Sequence, residues 1–118
     1  MSRKDDSVYF GHMLDACRKI SGRTASLSRA EYDGDEFLRL ALVHLVQVIG
    51  EAARRVSEAG RAANPGIPWR EITGMRHKIV HDYMDVSQDV LWEVVSKDIP
   101  PLEEQLARVA PPEAPDGE

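Results

Sequence analysis

Apolar residues along this chain recur at steps of three and four, the period that places them on one face of an α-helix, and no convincing segment alternates with the period of two that marks a half-buried strand. Phe10, Met13, Leu14, Cys17 and Ile20 form a first stripe, with Asp5 to Ser7 available as caps at its start and Ser21-Gly22 as its stop. Ser28-Arg29-Ala30-Glu31 has the spacing of a capping box on a short helical turn. Asp33-Gly34-Asp35 then precedes a long helix through Phe37, Leu38, Ala41, Leu42, Leu45, Val48, Ile49, Ala52 and Val56, which Gly60 and Asn64-Pro65-Gly66 close. Phe37, like Phe10, is read as core, and Gly50 as a point of close helix packing.

Pro68 suits the first turn of a third helix that carries Trp69, Ile72, Met75 and Ile79 inward and runs to about Asp82. After a short loop, Ser87 caps a fourth helix with Val90, Leu91, Val94, Val95 and Ile99 inward, and Pro100-Pro101 bends or restarts it before Leu102 and Leu106. Trp69 and Trp92 fall at apolar positions, so core or subunit packing outranks base stacking for both. The pattern predicts an all-α protein, an up-and-down bundle of four to five helices over residues 1–109, with a Pro-rich disordered tail from 110 to 118.

At 118 residues and 42% hydrophobic content the chain makes one modest core, whose surface burden a two-fold homodimer would relieve. A net charge of −5 argues against binding nucleic acid by bulk attraction, so any RNA site must be local. Cys17, the single cysteine, has no intrachain disulfide partner, and the start Met-Ser-Arg-Lys-Asp-Asp lacks the apolar core of a secretory signal. The longest apolar stretch, Leu38 to Ile49, is interrupted by Arg39, His44 and Gln47 and is too short to span a bilayer. These features point to the cytosol.

Chemistry concentrates in Arg76-His77-Lys78-Ile79-Val80-His81-Asp82-Tyr83. A guanidinium can fork onto phosphate oxygens, and imidazoles can give and take protons near neutrality, a combination suited to a phosphodiester. On one straight helix Arg76 and Tyr83 share a stripe and His77 stacks on His81, but Arg76 and His81 stand about 140° apart. Either the arginine wraps around the helix or a second subunit completes the site across a two-fold axis, and the second arrangement is preferred. Arg70 and Lys78 can add positive charge, and Glu51, midway along the long helix, either reaches this site or forms a surface salt bridge. His12 and His44 lack companions at metal-ligand spacing and read as core or surface residues, and His77 and His81 lack the glutamate of an HExxH zinc motif.

Arg76, four residues, His81, one residue and Tyr83 match the Arg-x4-His-x-Tyr signature, and the chain resembles HepT-like proteins of the HEPN superfamily. Val48-Ile49-Gly50-Glu51-Ala52-Ala53-Arg54-Arg55 is similar to that family's IGEAA helix, Asn64 to Ile72 to its P-x-I-P-W-R-x-I turn, and Val90-Leu91-Trp92-Glu93-Val94-Val95 followed by Asp98 to Leu102 to its last helix. The likeness runs from about residue 8 to about residue 107. His77 departs from the asparagine common after the motif arginine.

The resemblance implies a metal-independent endoribonuclease, the toxin of a toxin-antitoxin pair, with Arg76 and His81 as catalytic residues and no cofactor. It also implies a minimal nucleotidyltransferase antitoxin that adds AMP to Tyr83. Around the pair, His77, Lys78, Tyr83, Arg70 and Glu51 are candidates for supporting or RNA-binding roles. The alternative is a non-catalytic helical dimer that binds and regulates the nucleotidyltransferase. A small nucleotide-binding domain ranks below both, since the chain has no glycine-rich phosphate loop.

Overall fold

The computed structural model describes residues 3–82 and 85–110, so Tyr83 and, beyond Ala110, the tail expected to be disordered lie outside the described residues. Helix α1 (Arg3–Thr24) lies along α3 (Glu36–Arg55), and their facing stripes make the centre of the core: Met13, Cys17, Ile20 and Ile49 are all 0% exposed. Helix α1 begins ahead of its expected caps. Asp6 instead accepts the backbone N–H of Ser57 at 2.9 Å and its hydroxyl at 2.6 Å, pinning the start of α1 to the end of α3. The helix also runs through Ser21-Gly22, because both are poor rather than forbidden helix residues and the next turn is anchored by buried Thr24, whose hydroxyl donates to the Ile20 carbonyl at 2.9 Å.

The capping box forms as its spacing predicts: in α2 (Arg29–Asp33) Ser28 Oγ accepts from Glu31 N–H at 3.0 Å and Glu31 Oε1 accepts from Ser28 N–H at 2.9 Å. Helix α3 ends earlier than expected. Val56 turns extended and buries its side chain, and Ser57 caps a separate α4 (Glu58–Ala62) rather than letting α3 reach Gly60. Gly60 is needed for space, since a Cβ there would lie 2.5 Å from Asp6 Oδ2. Gly50 behaves as expected of a close-packing position, with a Cβ there meeting the Ile72 carbonyl at 3.4 Å.

Helices α5 (Trp69–Thr73) and α6 (Met75–Ile79) form one rod interrupted at Gly74. The expected helix through Asp82 is not there. Val80 adopts an extended conformation, and β1 (Val80–Asp82) pairs antiparallel with β2 (Asp85–Val86), a small hairpin where neither strand was expected. The Ser87 N–H takes the Ile79 carbonyl at 2.8 Å, an acceptor that a continuing helix would have bonded internally, so tertiary closure replaces the next helical turn.

Helix α7 (Gln88–Glu93) passes through a π-helical turn at Val94–Asp98 into α8 (Ile99–Val109), which opens on Pro100 and Pro101. This is the restart that the two prolines require: they supply no N–H and are tolerated only in a first turn. The long rods α1, α3, α5–α6 and α7–α8 make the all-α bundle that the periodicity predicts, with α2 and α4 as connectors. Phe37 is not core but 84% exposed, and Ala41 is exposed too, because both lie outside the α3 face of Leu38, Leu42, Val46 and Ile49 that the core buries. Trp69 packs edge-on against Phe10 at 5.9 Å and donates to the Asn64 carbonyl at 3.0 Å, and Trp92 sits 4.9 Å from the Tyr32 ring, so both indoles serve packing. Among the described residues no helix is long and apolar enough to cross a membrane.

Candidate functional site

Because Gly50 lets α5 close on α3, the outward edge of α3 faces the first turn of α6. Gln47, Glu51 and Arg54 from α3 meet Thr73, Arg76 and His77 around a cleft of about 210 Å³. Glu51 Oε2 pairs with Arg54 Nη1 at 2.9 Å, and Arg54 Nη2 donates to the Thr73 carbonyl at 3.3 Å, strapping α3 to α5. Glu51 therefore satisfies both readings at once, forming a surface salt bridge that also lines the cleft of the motif arginine. Arg54, part of the IGEAA-like block but not among the site candidates, belongs to this cleft. Its signal was the three-residue step from Glu51.

Motif residues do not share one helix. Arg76, His77 and Lys78 lie on α6 and His81 lies on β1, so the angle of about 140° expected on a continuous helix does not apply here. All four are exposed. His81 Nδ1 faces Asp85 Oδ2 across the hairpin at 3.7 Å, an ion pair only when the ring is protonated. Asp85 is a second residue that sequence reasoning missed, because on a helix-then-loop reading it had no defined position.

The supporting candidates separate. His77 and Glu51 join Arg76, whereas Lys78 lines a different cavity, of about 600 Å³, with Glu71, Asp98 and Leu102 between the α5–α6 rod and α8. Arg70 is exposed in the first turn of α5 and does not line the Arg76 cleft. The role expected of Tyr83 falls on a residue outside those described.

Beside the Arg76 cleft, and sharing Gln47 and Glu51 with it, runs a groove of about 350 Å³ between α1 and α3, with Tyr9 and His12 on one wall and His44 on the other. His12 and His44 are surface residues, as one of their expected readings had it, and the fold sets them on facing walls of one groove. Among the described residues no group of three or more His, Cys, Asp or Glu side chains is placed to hold a metal ion.

A small helical bundle that carries an arginine and a histidine outward on adjoining elements is the class that this fold and site define. The chain belongs to the HepT-like ribonuclease family, whose profile matches residues 13–109. It is 33% identical over 106 residues to a provisionally named RNase of Caldanaerobacter subterraneus subsp. tengcongensis, covering 90% of this chain and 95% of that one. It is 31% identical over 108 residues to a provisionally named ribonuclease HepT of Thermococcus cleftensis, covering 92% and 96%. A provisionally named RNase of Methanocaldococcus jannaschii is 26% identical over 106 residues, covering 90% and 97%. No solved structure matches the chain.

Proposed function

We propose that this protein is a metal-independent endoribonuclease toxin that uses the RNA's own 2′-hydroxyl as nucleophile. The observation that carries the reading is the full Arg-x4-His-x-Tyr signature in a chain of the HepT-like ribonuclease family, with Arg76 and His81 both exposed at the surface. The 2′-oxygen attacks the adjacent phosphorus as the bond to the 5′-oxygen breaks. One proton leaves the 2′-hydroxyl and another reaches the departing 5′-oxygen, giving a 2′,3′-cyclic phosphate and a 5′-hydroxyl. His81 transfers one of these protons; with Nδ1 turned to Asp85, Nε2 is the nitrogen that serves the substrate. Arg76 stabilises the charge that grows on the non-bridging oxygens.

The active unit in this reading is a homodimer that places two Arg-His sets around one scissile bond. Exposed Phe37 and Leu40 on α3 are apolar surface suited to a second copy. A minimal nucleotidyltransferase antitoxin adds AMP to Tyr83, and the added charge and bulk exclude the RNA backbone without a change of fold.

Incubation of wild-type, Arg76→Ala and His81→Ala proteins with total cellular RNA in EDTA tests the chemistry. Fragments with cyclic phosphate ends from wild type alone are expected. Intact RNA in all three, once mass spectrometry has excluded AMP on Tyr83, would overturn the nuclease and favour a regulatory helical dimer.

A further inference from the structure

The groove between α1 and α3 has the make-up of a site for a flat, hydrogen-bonding ring. Its floor is apolar, formed by Val48 and Ala52, and its rim is polar, with Tyr9 and His12 from α1 and His44, Gln47 and Arg55 from α3. The rings of Tyr9 and His12 stand edge to face, their centroids 6.2 Å apart, so one aromatic unit already makes the α1 wall. Its volume of about 350 Å³ lies within the ~300–1,000 Å³ common for small-ligand pockets. Aromatic faces and side-chain amides are the groups by which proteins hold unstacked RNA bases.

Position selects the ligand. Gln47 and Glu51 line both this groove and the Arg76 cleft, so whatever occupies the groove adjoins the cleft of the motif arginine. The Glu51 carboxylate, the one acidic lining group, is engaged by Arg54, which lowers its repulsion of a phosphate. Farther along the same seam, where α1 approaches the start of α3, a second hollow is edged by Arg18, Lys19 and Arg23, with Lys19 held by Asp15 at 3.0 Å. Exposed Arg18 and Arg23 thus give the α1–α3 seam beyond the groove a local positive charge that suits phosphates, although the whole chain carries a net charge of −5.

We infer that the α1–α3 groove is the base-binding subsite for the nucleotide next to the scissile phosphate, with Tyr9, His12 and His44 holding that base and Arg55 its backbone. This rests on the ribonuclease reading for the identity of the ligand. It goes beyond that reading in assigning recognition to two histidines outside the motif.

The chain has four histidines, two in the groove and two in the motif, so imidazole NMR resonances report on both places at once. Full-length protein is titrated with uncleavable 2′-O-methyl RNA trinucleotides of varied base. All four imidazoles should shift with one saturation curve, and the affinity should depend on base identity. Shifts confined to His77 and His81, or at none of the four, would overturn the subsite. So would groove shifts that follow only the nucleotidyltransferase, which would assign the surface to a protein.

Tyr9→Leu with His44→Ala should weaken trinucleotide binding about tenfold, the scale of one lost base stack. On a cleavable RNA it should raise KM far more than it lowers kcat, and an unchanged KM would count against it. His81→Ala should lose cleavage yet keep the His12 and His44 shifts. If wild type binds in the groove and cuts nothing, the nuclease reading fails, and with it the place beside a scissile phosphate, while base binding by the groove stands.

Discussion

The α1–α3 seam and the segment from Arg76 to His81 are opposite extremes of one small molecule. In the seam Met13, Cys17, Ile20, Val46 and Ile49 are 0–2% exposed, and their removal from water is where the stability lies. In the motif Arg76, His77, Lys78 and His81 all face solvent, while the buried residues among and beside them, Met75, Ile79 and Val80, fasten the segment to the core. The chemical groups thus contribute little to folding. Three buried anchors decide where those groups stand.

The sharpest way to break this comparison is to remove the chemistry alone. His81→Ala or Arg76→Ala should cut RNA cleavage by roughly 100- to 1,000-fold with the urea midpoint unchanged. A lowered midpoint would show that the motif carries stability after all. Ile79→Ala probes the joint between the two regions. It removes a side chain 1% exposed, should cost ~2–5 kcal/mol in urea unfolding, and should impair cleavage as well. Normal turnover in folded Ile79→Ala protein would separate motif geometry from its anchors.

Gly60→Ala tests the pin between α1 and α4. With its Cβ 2.5 Å from Asp6 Oδ2, the contact to Ser57 must shift, at about 1–3 kcal/mol; a neutral result would mean that the α1 start yields freely. Tyr32, a residue 0% exposed whose hydroxyl donates to Gln88 Oε1 at 2.9 Å, has its phenol pushed by burial from 10.0 up to about 12. Since the unfolded chain releases that proton first, the stability it supplies is present below pH 10 and is lost as pH rises through about 12. Tyr32→Phe should flatten that alkaline decline, and an unaltered slope between pH 10 and 12 would assign it to other groups. Smallest of all, Phe37→Ser should change monomer stability by less than about 0.5 kcal/mol, since the ring is already 84% exposed. Its effect belongs in sedimentation: a dimer that persists unweakened would remove Phe37 from the interface.

The inward stripes of α1, α3 and α7–α8 were legible because burial of one helix face imposes a three- and four-residue period that the order of residues alone displays. The Ser28 capping box and the restart at Pro100-Pro101 were legible for a similar reason, as each acts within four residues of itself. Helix ends were less so: α3 stops at Arg55 because Ser57 answers to Asp6, far away in the chain, and α6 stops at Ile79 because Ser87 returns to take its carbonyl. At the site, the identity of Arg76 and His81 stood in the sequence, since the chemistry of a guanidinium and an imidazole is intrinsic to the residue. Only tertiary structure divided them between a helix and a hairpin, turned Lys78 to another cavity, gave His81 the neighbour Asp85, and set His12 and His44 on one groove. Those relations depend on how distant segments close on one another, through the near contact at Gly50 and the Arg54 strap, and no periodicity in a linear pattern encodes a distance between two helices.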